Sequence, residues 1–234
     1  MTARPLSTAA DWESVRLVAF DVDGTLYRQR PLRLRMALEL LSHAARDRDV
    51  ATLRVLARYR RIRERLGCEE VVDFLRPLLA QTASACDVSE ERVRSIVAEW
   101  IERRPLRHLA SCRYPGLVEL FAGLRRRGRS IGILSDYPAE AKLRALGLEA
   151  DHIVCAEDKG IGALKPHPKG FLALIDAAGA TPETTLLIGD RPDRDGLVAN
   201  RVGARVMIRS PFPIDGWQTF RRFDDASFLP VIAG

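Results

Sequence analysis

The run Val15-Arg-Leu-Val-Ala-Phe20 leads without a break into Asp21-Val-Asp-Gly-Thr25-Leu26, and this junction decides the fold. Its first half is short, apolar and rich in β-branched residues, the pattern of a buried strand. Its second half is a polar turn. After Pro115-Gly116 the same rhythm returns, with strands expected at Ser130–Leu134, His152–Cys155, Thr185–Gly189 and Ala204–Ile208. Helical patterns separate them at about Leu117–Arg127, Ala139–Leu146, Lys169–Ala178 and Gly196–Arg201. Strands alternating with helices predict an α/β fold with a parallel sheet covered by helices on both faces. Gly128 and Gly147 stand where two of those helices need a left-handed terminal residue.

Between the two parts, from about Pro31 to Arg104, the apolar spacing is helical throughout. Leu34, Leu38 and Leu41 form one set, Leu53, Leu56 and Ile62 a second, Val72, Leu75 and Leu79 a third, and Val93, Ile96, Val97 and Trp100 a fourth. Ser89 ahead of Glu90 and Glu91 is a candidate N-cap. An all-helical insertion of about four helices is therefore expected over residues 28–113, with residues 1–27 and 114–234 forming the core. The stretch Ser210–Gly234 has no clear periodicity and carries no assignment.

Length and composition agree with one core plus an insertion: 234 residues is about one and a half domains. With 47% hydrophobic and 29% charged residues, disorder is excluded. No run is long and apolar enough to span a membrane, and the first residues lack a signal-peptide pattern. Cys68, Cys86, Cys112 and Cys155 lie far apart, without zinc spacing, so the chain reads as cytoplasmic. The net charge of +6 is concentrated in residues 28–113, which hold 19 Arg, no Lys and 12 acidic residues. With 33 Arg against 4 Lys overall and no nucleic-acid motif, this excess reads as a solvated helix surface. Arg28, Arg30 and Arg33 are the insert cations nearest the polar turn.

In parallel sheets ligands bind beyond the C-terminal strand ends. The first expected strand ends in Asp21 and Asp23, the second in Ser135 and Asp136, and the fourth in Asp190, with Asp193 and Asp195 just after. Lys165 approaches the same crest. Clustered carboxylates repel one another unless a cation joins them. Magnesium, an oxygen-seeking ion that takes one or two carboxylates, fits Asp21 and Asp190. Asp21 could then attack phosphorus, while Asp23 would protonate the leaving oxygen and later accept a proton from water. Ser135, Lys165 and backbone N–H groups would face the phosphoryl oxygens, and Gly24 would let the backbone come close.

Asp21-Val-Asp-Gly-Thr-Leu26, Ser135, Lys165-Pro166 and Gly189-Asp190-x-x-x-x-Asp195 resemble, in order, the four signature motifs of the haloacid dehalogenase superfamily. The resemblance implies a Rossmann-like core in a magnesium-dependent hydrolase forming an aspartyl-phosphate, with a helical cap inserted after the first motif, as in phosphoglycolate phosphatase-like members. It implies that Asp23 gives its backbone carbonyl to the metal, that Gly24, Thr25, Ser135, Asp136 and Lys165 bind phosphate, and that Asp195 is a supporting acid. An acid at Asp23 favours phosphate esters over carbon–halogen bonds. Asp136 stands where many relatives carry Asn, and Arg191 replaces a small polar residue; Asp193 is its expected ion-pair partner. The expected function is a phosphatase for a small soluble phosphomonoester, with no membrane or nucleic-acid partner. The alternatives are a sugar-phosphate mutase, or a non-catalytic binding module with a basic insert.

Overall fold

The computed structural model describes residues 12–47 and 49–233. Strands β1 (Leu17–Phe20), β2 (Ser130–Ser135), β3 (His152–Cys155), β4 (Thr185–Gly189), β5 (Arg205–Arg209) and β6 (Thr219–Phe220) form one sheet in the order β3-β2-β1-β4-β5-β6. Every neighbouring pair is parallel. Helices α1 (Gln29–Asp47), α2 (Val50–Cys68), α3 (Leu75–Cys86), α4 (Glu90–Val97) and α5 (Leu106–Cys112) fall between β1 and β2, and a π-helical turn (Ala98–Arg103) continues α4. The core helices are α6 (Leu117–Arg126), α7 (Glu140–Leu146), α8 (Lys169–Ala177), α9 (Leu197–Val202) and the short α10 (Leu229–Ile232).

The alternation of side chains along each strand builds two apolar layers. Val18, Phe20, Ile131, Ile133, Leu186, Ile188 and Met207 face one, with Leu120, Phe121 and Leu124 of α6 and Leu143 and Leu146 of α7. Leu17, Ala19, Leu134, Leu187, Val206 and Ile208 face the other, against α8 and α9. β1, buried on both faces, is the centre of the sheet, so whatever follows Phe20 lies at the middle of the crest. Gly128 and Gly147 have the left-handed φ their positions predict, 62° and 67°. The C-terminal stretch, unassigned from sequence, supplies β6 and a cluster of Phe220, Phe223 and Phe228 that packs with Trp12 on the first layer.

The chain leaves and re-enters the core through a single antiparallel bridge, Tyr27 to Arg113. The Arg28 N–H donates to the Cys112 carbonyl (2.9 Å) and the Tyr114 N–H to the Leu26 carbonyl (3.2 Å). Within the insert, α2, α3, α4 and Trp100 bury a third apolar cluster that also takes in Ala156 and Leu164 of the core. Ser89 caps α4 through a hydrogen bond from the Arg92 N–H (3.2 Å).

Two expectations for the insert need correction. Among the described residues it holds five α-helices where about four were expected, because α5 is a separate short element after the π-helical turn. Leu34, Leu38 and Leu41 do not form an inward face: they are 63%, 60% and 59% exposed. α1 carries two leucine-spaced stripes, and Leu32, Met36 and Leu40 form the inward one. Spacing shows that a stripe exists; only packing says which one is covered.

Candidate active site

The crest residues converge because of strand register. Phe20 pairs with Ile188 of β4 on one side and Ile133 of β2 on the other, so Asp21 emerges beside Gly189-Asp190 and near Ser135. The Lys165 ammonium is buried between two carboxylates, donating to Asp21 Oδ1 (2.6 Å) and Asp195 Oδ1 (2.7 Å), with the Leu134 carbonyl at 3.3 Å. Thr25 donates its hydroxyl to Asp21 Oδ2 (2.8 Å). Asp195 Oδ2 accepts the Asp190 and Arg191 N–H groups (3.2 and 3.0 Å), which fixes the turn after β4. Asp195 thus holds both Lys165 and the turn that presents Asp190.

Carboxylate oxygens of Asp21, Asp190 and Asp195 lie within 4.8 Å of one another. Two of the three acids are occupied by hydrogen bonds; Asp190 Oδ1 is buried and has no partner. Burial, reinforced by the Asp195 carboxylate, pushes Asp190 up to about 7. Asp21 is also held well above the usual carboxylate range, by burial first, with Lys165 pulling it down and Asp195 and Asp190 pushing it up. For Lys165, burial works against the charged form, and the attraction of Asp195 and Asp21 overcomes it, so the ammonium is retained. A site with one buried cation among three clustered carboxylates, and one carboxylate oxygen unpartnered, fits a divalent cation in chemistry and charge.

Asp23 is held differently. Lys142, on α7, donates to both Asp23 oxygens (2.7 and 2.6 Å), and the Tyr27 hydroxyl donates to Asp23 Oδ1. Burial alone would raise the Asp23 pKa, but the Lys142 ammonium and its hydrogen bonds, with help from Tyr27, bring it below the usual range. The Asp23 carbonyl accepts a hydrogen bond from the Gln29 side-chain amide. Lys142, Tyr27 and Gln29 were not singled out from sequence. The lysine had a signal: in a chain with 33 Arg and 4 Lys, each lysine is a departure, and two of the four are buried here. A compact ammonium fits between buried carboxylates where a planar guanidinium fork does not.

The remaining candidates settle as follows. Gly24 has φ +105°, and a Cβ there would collide with the Asp190 carboxylate, so only glycine permits that approach. Ser135 is buried, and its oxygen accepts the Tyr137 N–H (3.2 Å), leaving the hydroxyl hydrogen uncommitted. Asp136 turns one oxygen to the Lys165 N–H (3.0 Å) and so braces the loop that carries the ammonium. Its carbonyl accepts a hydrogen bond from Arg63 of α2, whose guanidinium also reaches Glu157 (3.0 Å) and lies over the Tyr137 ring. Arg191 pairs with Asp193 (2.6 Å), as expected, and also with Glu64 of α2 (2.6 Å). Those hydrogen bonds from Arg191, opposed by partial burial and reinforced by Arg194, bring Glu64 down to about 2. Arg28 turns away to the Ser111 and Cys112 carbonyls, whereas Arg33 lines the cavity.

Asp21, Asp23, Lys142, Lys165, Asp190 and Asp195 line the floor of a cavity of about 900 Å³ roofed by the insert. A haloacid dehalogenase-like hydrolase family model matches residues 15–203. The chain belongs to the haloacid dehalogenase-like hydrolases. Curated relatives of this hydrolase include the glyceraldehyde 3-phosphate phosphatase of Methanopyrus kandleri, 27% identical over 197 residues and covering 81% of each chain. Phosphoglycolate phosphatase 1 of Pseudomonas aeruginosa is 29% identical over 196 residues, covering 81% of this chain and 67% of the relative. In fold the hydrolase is similar to the magnesium-bound HAD-hydrolase YfnB of Bacillus subtilis, with a TM-score of 0.64, 19% identity, and coverage of 90% of this chain and 96% of that one. Among the described residues no helix is long and apolar enough to cross a membrane.

Proposed function

We propose that this hydrolase is a magnesium-dependent phosphatase that transfers the phosphoryl group of a small-molecule phosphomonoester to Asp21 and then to water. The arrangement of Asp21, Lys165 and Asp190 at the head of β1 carries the reading: a carboxylate, a buried ammonium and an unpartnered carboxylate oxygen meet at one point. Asp21 and Asp190 would hold the cation, with the Asp23 carbonyl as a third ligand once Gln29 releases it. The cation would supply charge compensation for the carboxylates and the phosphoryl oxygens.

The chain's own residues supply the remaining steps. Thr25 and Lys165 orient the Asp21 carboxylate by holding one oxygen each. Lys165 and the Ser135 hydroxyl then offer donors to the equatorial phosphoryl oxygens, where charge accumulates in the transition state. Asp23 is ionised while Lys142 and Tyr27 hold it, so it must take up a proton before it can give one to the departing alkoxide; as a carboxylate it takes one from the water that cleaves the acyl phosphate. The helical insert acts as the cap: it covers the crest, and its ties through Arg63, Glu64 and Gln29 govern how water and substrate reach Asp21. The test is release of phosphate from p-nitrophenyl phosphate and a panel of phosphometabolites, with and without magnesium. Absence of any magnesium-dependent phosphate release would refute the reading.

Two outcomes follow at once. Lys142→Met frees Asp23 to rotate and removes its paired charge, and general acid–base catalysis is worth about 10²–10⁴-fold. The loss in kcat/KM, which reports only the steps up to departure of the alcohol, should therefore be at least about tenfold on alkyl phosphates, whose leaving group needs a proton, and small on p-nitrophenyl phosphate, whose leaving group does not. Equal losses on both substrates would contradict the assignment.

The second outcome concerns pH. Because the folded pKa of Asp190 is raised to about 7, ionising it disfavours the fold, and its contribution to stability falls as pH rises from the unfolded value towards 7. A cation bound to the ionised cluster offsets that loss. Magnesium should thus raise the melting temperature more at about pH 8 than at about pH 5.5. An increment independent of pH would show that Asp190 does not bind the ion.

A further inference from the structure

The cavity above the crest is much larger than a phosphoryl group, and most of the insert residues in its wall are apolar, with Arg33, Arg60 and Glu64 as the charged members. Leu32, Met36 and Leu40 of α1 present one i, i+4, i+8 stripe into it. Leu56 of α2 and Trp100 and Ile101 of the π-helical turn close the opposite side. At about 900 Å³ the space lies at the upper end of the range that holds drug-sized ligands. Asp21, Lys165 and Asp190 line the same cavity together with Asp23, so an ester held at Asp21 shares the space with the apolar wall.

We infer that the alcohol portion of the substrate is bulky and apolar or aromatic, and that the vault of the insert selects it by burial. The inference rests on the phosphatase reading and narrows its substrate class. A short polar ester would touch the floor and leave the partly exposed Met36, Leu40 and Ile101 side chains facing water. An alkyl or ring system carried by the ester oxygen would displace that water and cover them. Its charge would stay at the phosphate, where Lys165 stands, and its body would lie along α1.

The experiment has two arms, both on the full chain with magnesium. Turnover is measured for n-alkyl phosphates from ethyl to octyl, for phenyl and 1-naphthyl phosphate, and for pyrophosphate and phosphoglycolate. Binding is measured by titration calorimetry with the matching n-alkylphosphonates, which cannot be hydrolysed. Each buried methylene should tighten binding up to about fourfold, so octyl should exceed ethyl by at least ~100-fold in affinity and in kcat/KM, chiefly through KM. Naphthyl phosphate should be preferred to phenyl. In Leu40→Glu, a half-buried position that tolerates charge, the octyl-to-ethyl ratio should fall at least tenfold; Met36→Glu should do the same if Leu40→Glu folds poorly. Affinity that does not depend on chain length, or a preference for phosphoglycolate or pyrophosphate over the long esters, would overturn the inference alone. Chain-length-dependent binding without turnover of any ester would overturn the phosphatase reading and leave the apolar site in place.

Discussion

Asp21→Asn is expected to lose about 10⁴-fold or more of its phosphatase activity while remaining folded. The amide keeps the shape of the carboxylate, so Thr25 and the end of β1 retain their packing, but its nitrogen and oxygen cannot form a stable bond to phosphorus. Stability should not suffer. Asp21 is one of three clustered acids and is itself held well above the usual carboxylate range; removing its charge relieves repulsion within the cluster while leaving Lys165 paired with Asp195. The measurements are steady-state turnover of p-nitrophenyl phosphate and a thermal melt. Retained turnover would remove Asp21 from the chemistry; a lost melting transition would mean that its charge is structural.

Lys165→Met should cost both activity and stability. The Lys165 side chain is 5% exposed and is the shared partner of Asp21 and Asp195. Removing one member of a buried ion cluster typically costs about 3–5 kcal/mol, because the remaining charges stay buried and unpaired. In a chain of this size that corresponds to a fall of about 6–20 °C in melting temperature. The deficit has a definite pH dependence. Burial already raises Asp21 and the Lys165 ammonium pulls it down, so without that ammonium Asp21 lies further above its unfolded value; the stability lost on its ionisation is greatest above that raised range and shrinks as pH falls and it takes up a proton. Lys165→Arg should not restore activity, since the guanidinium fork is too wide for a slot between two acids. A variant as stable as the parent at every pH would show that the cluster is solvated rather than buried.

The core was legible because its signal is local. Val15–Phe20 is apolar at every other position and beyond, and the polar residues directly after each strand necessarily reach the same crest once the sheet is parallel; Asp21, Ser135, Asp190 and Asp195 were placed by that reasoning alone. Lys142 was not, because it lies in mid-helix, where a lysine is ordinarily solvent-facing, and only the packing of α7 beside β1 turns it towards Asp23. Asp136 was legible as a crest residue, but its brace on the Lys165 N–H depends on a loop that no periodicity describes. The insert was recognisable as helical, yet the covered face of α1 was misread, since Leu34, Leu38 and Leu41 have as good a spacing as Leu32, Met36 and Leu40. The last stretch resisted reading because its order comes from aromatic contacts between Phe220, Phe223, Phe228 and the distant Trp12.

Covalent capture of phosphorus by Asp21 is the claim on which the rest depends. It can be read directly by mixing the protein with magnesium and p-nitrophenyl phosphate, quenching in acid, reducing with borohydride and sequencing the peptides by mass spectrometry. An acyl phosphate is reduced to an alcohol where a free carboxylate is not, so position 21 should be recovered as homoserine only when substrate and magnesium were both present. Turnover accompanied by an unmodified Asp21, or by reduction at another acid of the crest, would contradict the account.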